Sequence, residues 1–249
     1  MDALDATANH DTEAVPTDER LKELARKMLS ISPTIDASLP LTLLCIGAHG
    51  DDLEIGCGGT VLSWLQSSRR INVIWVVIAA EGERAHEARR SAKALLRRAS
   101  AADIVFGGFP DGFLLAHYRD VKVFFESIKT RCKPDIVLTH RLEDRHQDHR
   151  LAGELTWNTW RDHMILEYEI PKYEGDLGQP NIFVPLTTAI AQRKTAHLAR
   201  HFGSQRSKSW FKTDNFLALA HLRGLECRSP TGLAEAFHAR KLMMTPALS

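Results

Sequence analysis

The chain has 249 residues, ample for one α/β domain with a full core. Apolar residues make up 44% and charged residues 25%, and 32 Lys+Arg stand against 31 Asp+Glu. This balance gives no basic field for nucleic acid and no acidic field for a basic partner. The apolar runs are strand-sized, so no segment reads as a membrane span. Cys45, Cys57, Cys132 and Cys227 are scattered, without the Cys-x-x-Cys spacing of a zinc ribbon or redox pair. The polar, acidic start is unlike a signal peptide, and a reducing cytoplasm is the expected setting.

Residues 1–16 read as a polar leader, and Thr17 caps a helix through about Leu29. Residues 1–38 are thus expected to precede a main domain over 39–249. Leu41 to Ile46 is the first core strand, and it runs into a turn holding His49, Gly50, Asp51 and Asp52. A helix follows over Thr60 to Ser67. Ile71 to Ala79 is almost unbroken apolar sequence, as a strand covered on both faces requires. His86 to Ser100 reads as a basic amphipathic helix. Asp103 to Phe106 is a short third strand, followed by a loop over Gly107 to Gly112. Tyr118 to Arg131 is helical, and Asp135 to Thr139 is the fourth strand. The loop His140 to Asp148 leads to a helix from about His149 to Asp162, and Met164 to Ile170 makes a fifth strand. Residues 171–185, broken by Pro171, Gly175, Gly178 and Pro180, read as a long loop, which a substrate rim or a solvated connection would both explain. Helices over Thr187 to Phe202 and about Trp210 to Leu222 complete the pattern.

Strand and helix patterns therefore alternate. The fold class expected is α/β, Rossmann-like and doubly wound, with a mainly parallel sheet and helices on both faces. Ligands in such sheets bind beyond the carboxyl ends of the strands where the strand order reverses. In a 3-2-1-4-5 order the first and fourth strands are neighbours at that point, and both lead into His/Asp clusters.

Adjacent carboxylates such as Asp51 and Asp52 are costly unless a cation or a proton task offsets them. His49, Asp52 and His149 supply two imidazoles and one carboxylate, a common zinc ligand set with an open position. Iron(II) suits the same set. Asp51 is placed to accept a proton from water. His146, three residues before His149, could stabilise an oxyanion. Asp148 could orient an imidazole from behind. Together these residues describe metal-dependent hydrolysis at a carbonyl.

His49-Gly50-Asp51-Asp52-Leu53-Glu54 resembles the AHPDDxE motif of the PIG-L/LmbE family of zinc-dependent de-N-acetylases, and His146-Gln147-Asp148-His149 resembles that family's HxDH motif. Weaker likenesses extend the match over about residues 41–243. The resemblance implies zinc on His49, Asp52 and His149, with Asp51 as general base. It implies His146 as the group that stabilises the oxyanion or protonates the leaving amine, and it places Arg84 and Asp111 against a sugar substrate. The implied reaction removes an N-acetyl group, usually from a glucosamine unit of a small molecule or glycoconjugate. Gly50 stands where the family usually has proline, which would stiffen the turn.

Three other readings fit parts of the sequence. A nucleotide-binding oxidoreductase or methyltransferase would explain the first strand and turn, but the G-x-G-x-x-G fingerprint is absent. An iron(II) oxygenase would use the same ligand types, usually in a β-rich fold. A non-catalytic or altered-substrate member of the fold is compatible with Gly50, and a homo-oligomer is compatible with the composition.

Overall fold

The computed structural model describes residues 39–243, so the leader and the helix expected before them lie outside the described residues. Five strands form the parallel part of one sheet: β1 (Leu41–Gly47), β2 (Ile71–Ala79), β3 (Ala101–Phe109), β4 (Ile136–His140) and β5 (Met164–Tyr168). Helices α1 (Asp52–Gly56), α2 (Gly58–Gln66), α3 (Gly82–Leu95), α4 (Tyr118–Arg131) and α5 (Gln147–Thr159) lie between them. Then come β6 (Ile182–Pro185), α6 (Thr188–His201), α7 (Thr213–Glu226) and β7 (Ala234–His238). The sheet order is β3-β2-β1-β4-β5-β7-β6. The expected 3-2-1-4-5 order is therefore present, extended by two strands that join antiparallel.

The alternation of the strands divides the core. Leu43, Cys45, Val73, Trp75 and Leu138 face one side, where α2, α3, α6 and α7 cover them. Leu44, Ile46, Val76, Ile78 and Val137 face the other, under α4 and α5. Burying both faces explains why β1 and β2 are nearly continuous apolar runs. Parallel pairing of Leu43 with Ile136 and of Cys45 with Leu138 brings the carboxyl ends of β1 and β4 side by side.

Two differences from the sequence pattern have clear causes. Helix α1 is a single turn inside the expected turn region, and α2 starts at Gly58 because its first N–H groups find a distant acceptor. Glu235 in β7 takes the N–H groups of Gly59 at 2.8 Å and Thr60 at 2.6 Å, and Lys194 Nζ balances it at 2.7 Å. The stretch expected to be one long loop over 171–185 ends in β6, which pairs with β7. Among the described residues no helix is long and apolar enough to cross a membrane.

Glu235→Ala is expected to destabilise the fold by about 3 kcal/mol, because it strips two helix N–H groups and leaves Lys194 as a buried unpaired charge. Denaturant unfolding with a fitted midpoint and slope measures this.

Candidate metal centre

The turn after β1 is fixed by its own backbone. His49 donates its N–H to Asp52 Oδ2 at 2.6 Å. Asp51 occupies the N-cap position of α1 but its side chain makes no capping bond. The Asp-Asp pair is therefore not simply a helix cap. On the neighbouring strand end, His146 caps α5, and its Nδ1 accepts the N–H of Asp148 at 3.3 Å.

His49, Asp52 and His149 come together in the buried floor of this edge. His49 Nδ1 lies 3.1 Å from His149 Nε2 and 3.4 Å from Asp52 Oδ2. His149 Nε2 lies 3.5 Å from Asp52 Oδ1. A tetrahedral ion with ligand bonds of about 2.0–2.1 Å separates its ligand atoms by about 3.3 Å. The two histidines face different oxygens of Asp52, and His149 belongs to two groups that could hold a metal ion, His49–His146–His149 and Asp52–His140–His149.

The outer nitrogens of both rings face carboxylates. His49 Nε2 lies 3.1 Å from both Asp148 Oδ2 and Asp111 Oδ1, and His149 Nδ1 lies 3.0 Å from Asp144 Oδ2. Each carboxylate needs a proton on the nitrogen it faces, which leaves the inner nitrogens as lone pairs aimed at each other and at Asp52. Two lone pairs and a carboxylate at these distances repel unless a cation sits among them. In its place a proton can bridge from His49. Burial pushes the His49 pKa down, but the Asp52 charge and the bonds to Asp111 and Asp148 lift it well above its usual value. His149, lowered to about 4 by burial and by His140, stays neutral and keeps its lone pair. Asp52 is held well below the usual carboxylate range: burial opposes this, and the neighbouring imidazoles overcome it.

Asp51 lies beside this set with one oxygen engaged and one free. Its Oδ1 is 3.5 Å from the Arg84 guanidinium, whereas its buried Oδ2 has no partner. Burial, reinforced by the Asp52 charge, raises its pKa to about 6. Arg84 also bonds Asp111, whose pKa is lowered to about 2 chiefly by the bond to His49. His146 is half-buried, its ring centroid 4.9 Å from that of His49 and 4.5 Å from that of His149. Because its Nδ1 accepts a backbone bond, its Nε2 carries the proton of the neutral ring. Burial, then the His49 charge, lowers its pKa.

The structure thus gathers all eight sequence-predicted residues into one cluster. It gives two of them contacts that the sequence did not indicate. Asp111 contacts His49 as well as Arg84, and Asp148 backs His49 while accepting the N–H groups of Gly112 at 2.7 Å and Leu114 at 3.3 Å. Two further members escaped sequence reasoning. Asp144 backs His149, and Lys172 Nζ holds it at 2.9 Å. His140, fully buried at the end of β4, stacks on the His149 ring at 4.0 Å, and its Nε2 lies 3.0 Å from Asp52 Oδ2 and accepts the N–H of Ala48 at 2.9 Å. The only signal for either was its place in the loop between the fourth strand and His146.

The fold is α/β with a buried His/Asp cluster at the carboxyl ends of β1 and β4, and comparison with known proteins shows what the chain is similar to. Residues 44–160 match the family described as PIG-L: GlcNAc-PI de-N-acetylase, a stretch that starts in β1 and ends just after α5, so it holds both His/Asp motifs. Over that stretch the chain is similar to this family. It is 26% identical over 170 residues to the uncharacterized deacetylase YaiS of Escherichia coli (strain K12), covering 64% of this chain and 89% of that protein. Its fold is similar to that of GalB, the 4-carboxy-2-hydroxymuconate hydratase of Pseudomonas putida KT2440, with a TM-score of 0.66, 18% identity, and coverage of 84% of this chain and 100% of that one. It is also similar to the N,N'-diacetylchitobiose deacetylase of Pyrococcus horikoshii, with a TM-score of 0.59, 17% identity, and coverage of 92% and 94%.

Removing the carboxylate behind His149 frees that ring. Asp144→Ala is expected to lower zinc affinity by about 10–100-fold, measured by competition with a chromophoric chelator.

Proposed function

We propose that this protein is a zinc-dependent N-deacetylase acting on an N-acetylated amino sugar, with residues 39–249 as its catalytic domain. The observation that carries the reading is the meeting of two carboxylate-backed imidazole lone pairs with Asp52, beside a carboxylate that has an unpartnered oxygen. His49, Asp52 and His149 would hold the zinc, and iron(II) suits the same donors. When bound, such an ion lowers the pKa of water and polarises a carbonyl.

The chain's own residues divide the remaining work. Asp51 takes the proton of the attacking water through its free oxygen, since its raised pKa makes it a stronger base than an exposed aspartate. His146, protonated at Nε2, donates to the developing oxyanion. As the C–N bond breaks, a proton passes to the leaving nitrogen, giving a free amine and acetate. Arg84 holds Asp51 and Asp111 in place and presents its remaining donors to substrate hydroxyls.

The likeness to a hydratase shows that this fold serves more than one reaction. The assignment to amide hydrolysis therefore rests on the site residues and on the family match over both motifs.

Asp51→Asn is expected to retain zinc and to lower amine release by at least about 100-fold, in line with loss of a general base. His149→Ala is expected to lose zinc. Metal content by mass spectrometry and free amine from N-acetylglucosamine conjugates are the measurements. Full activity in Asp51→Asn would remove the proposed base.

A further inference from the structure

Helix α7 is apolar on two opposite sides. Phe216, Ala220 and Gly224 are buried on its inner side. The fit there is close, since a methyl group on Gly224 would lie 2.1 Å from the Gly232 carbonyl oxygen. Ala218, Leu222 and Leu225 occupy positions i, i+4 and i+7 and form a stripe on the outer side. Leu222 is 46% exposed and Leu225 is 74% exposed. A surface helix turns polar residues outward, whereas a helix that is apolar all round belongs in an interior. The outer stripe of α7 therefore has the character of a covered face.

The stripe borders a groove and ends in charges. Ala218, Leu219 and Leu222 line the groove, of about 490 Å³, with Trp210, Tyr173 and Leu177. Ala218 is the small residue of the stripe, so the surface is hollow there and raised at Leu225. Asp214 continues the stripe one turn before Ala218, and Arg228 follows about one turn after Leu225. Both are exposed, and among the described residues neither has an ion-pair partner. A two-fold axis at His221 and Leu222 would lay a second copy of α7 antiparallel on the first. Leu225 of one copy then meets the hollow at Ala218 of the other, and Arg228 of one meets Asp214 of the other. A parallel arrangement would instead set like charges together at both ends. The pattern is thus complementary to itself when reversed, which is the requirement of an isologous contact.

We infer that the outer face of α7 is the interface of a homodimer, in which two copies of this chain pack α7 antiparallel and seat Leu225 of each against the groove of the other. The apolar stripe supplies the affinity, and the Asp214–Arg228 pairs at its two ends fix the direction. No residue of the stripe belongs to the metal cluster, so the inference is independent of the deacetylase reading.

Sedimentation velocity of the full chain over about 1–100 μM measures the equilibrium. The unmodified protein is expected to run as a dimer that dissociates on dilution. In the Leu222→Ser/Leu225→Ser double variant, whose replaced side chains are exposed, association is expected to weaken by at least about 100-fold, because both copies lose both leucines. Asp214→Arg and Arg228→Glu are each expected to weaken it by about tenfold, since like charges then meet at both ends of the stripe. An equal mixture of these two charge variants is expected to regain the unmodified affinity, because opposite charges meet again at both ends of the mixed dimer. That recovery also shows that both variants are folded. A monomer throughout the range would overturn the inference and assign the face to a partner of another kind. A dimer unmoved by the leucine replacements would overturn it as well, since another surface would then associate. So would a mixture of the charge variants that associates no better than either alone.

Discussion

His49 Nδ1 and His149 Nε2 face each other at 3.1 Å, and the carboxylates behind both rings draw the ring protons to the far side. The rest of the carboxyl edge can be understood as the means of holding that arrangement. Asp148 is fixed by two backbone N–H groups, and Asp144 by Lys172. Asp52 is fixed by the His49 N–H and flanked by His140. None of these supports is optional, because a buried imidazole or carboxylate without partners costs more than its bonds return. Several buried polar groups therefore hold His49, Asp52 and His149 close together.

The fold supplies what such an arrangement needs. Side chains separated by about a hundred positions in sequence meet only because β1 and β4 pair in parallel with nothing between them. Parallel pairing aligns their carboxyl ends, so two short turns face each other across one edge. Tyr168 of β5 donates its hydroxyl to Ile46 O at 2.7 Å and ties the last residues of β1 from beneath. Its ring leaves no room above it. A methyl group on Gly56 would lie 2.2 Å from the Tyr168 ring, which explains why α1 ends on a glycine. The site is consequently built at strand ends and helix starts, with His49 and Asp144 on the short connections between them.

Apolar runs made β1, β2 and β4 legible, because strands buried on both faces leave little choice of residue. The ligand candidates were legible because His and Asp are anomalous at the ends of such strands. His140 and Asp144 were not legible, since their partners are Asp52, Ala48, Lys172 and His149, contacts that no local spacing encodes. Glu235 is a similar case: it caps α2 from 175 and 176 residues away. β6 escaped because its four residues end in a proline and gain their ladder from β7, about fifty residues later. Local pattern reveals what a segment buries, whereas long-range polar pairing appears only once the chain is folded.

Gly50 shows the same limit from the other direction. In sequence it reads as a loosened turn, because a proline there would fix φ. Its backbone does not adopt the left-handed conformation that demands glycine. What it provides is proximity: a methyl group at position 50 would lie 3.1 Å from Ala88 Cβ and 3.4 Å from the Arg84 carbonyl oxygen. The missing side chain lets α3 approach the turn directly. That approach puts the Arg84 guanidinium 3.5 Å from Asp51 and in contact with Asp111. A side chain at position 50 would require Ala88 in α3 to give by a few tenths of an ångström. In this chain glycine at position 50 therefore serves the close packing of α3 against the turn.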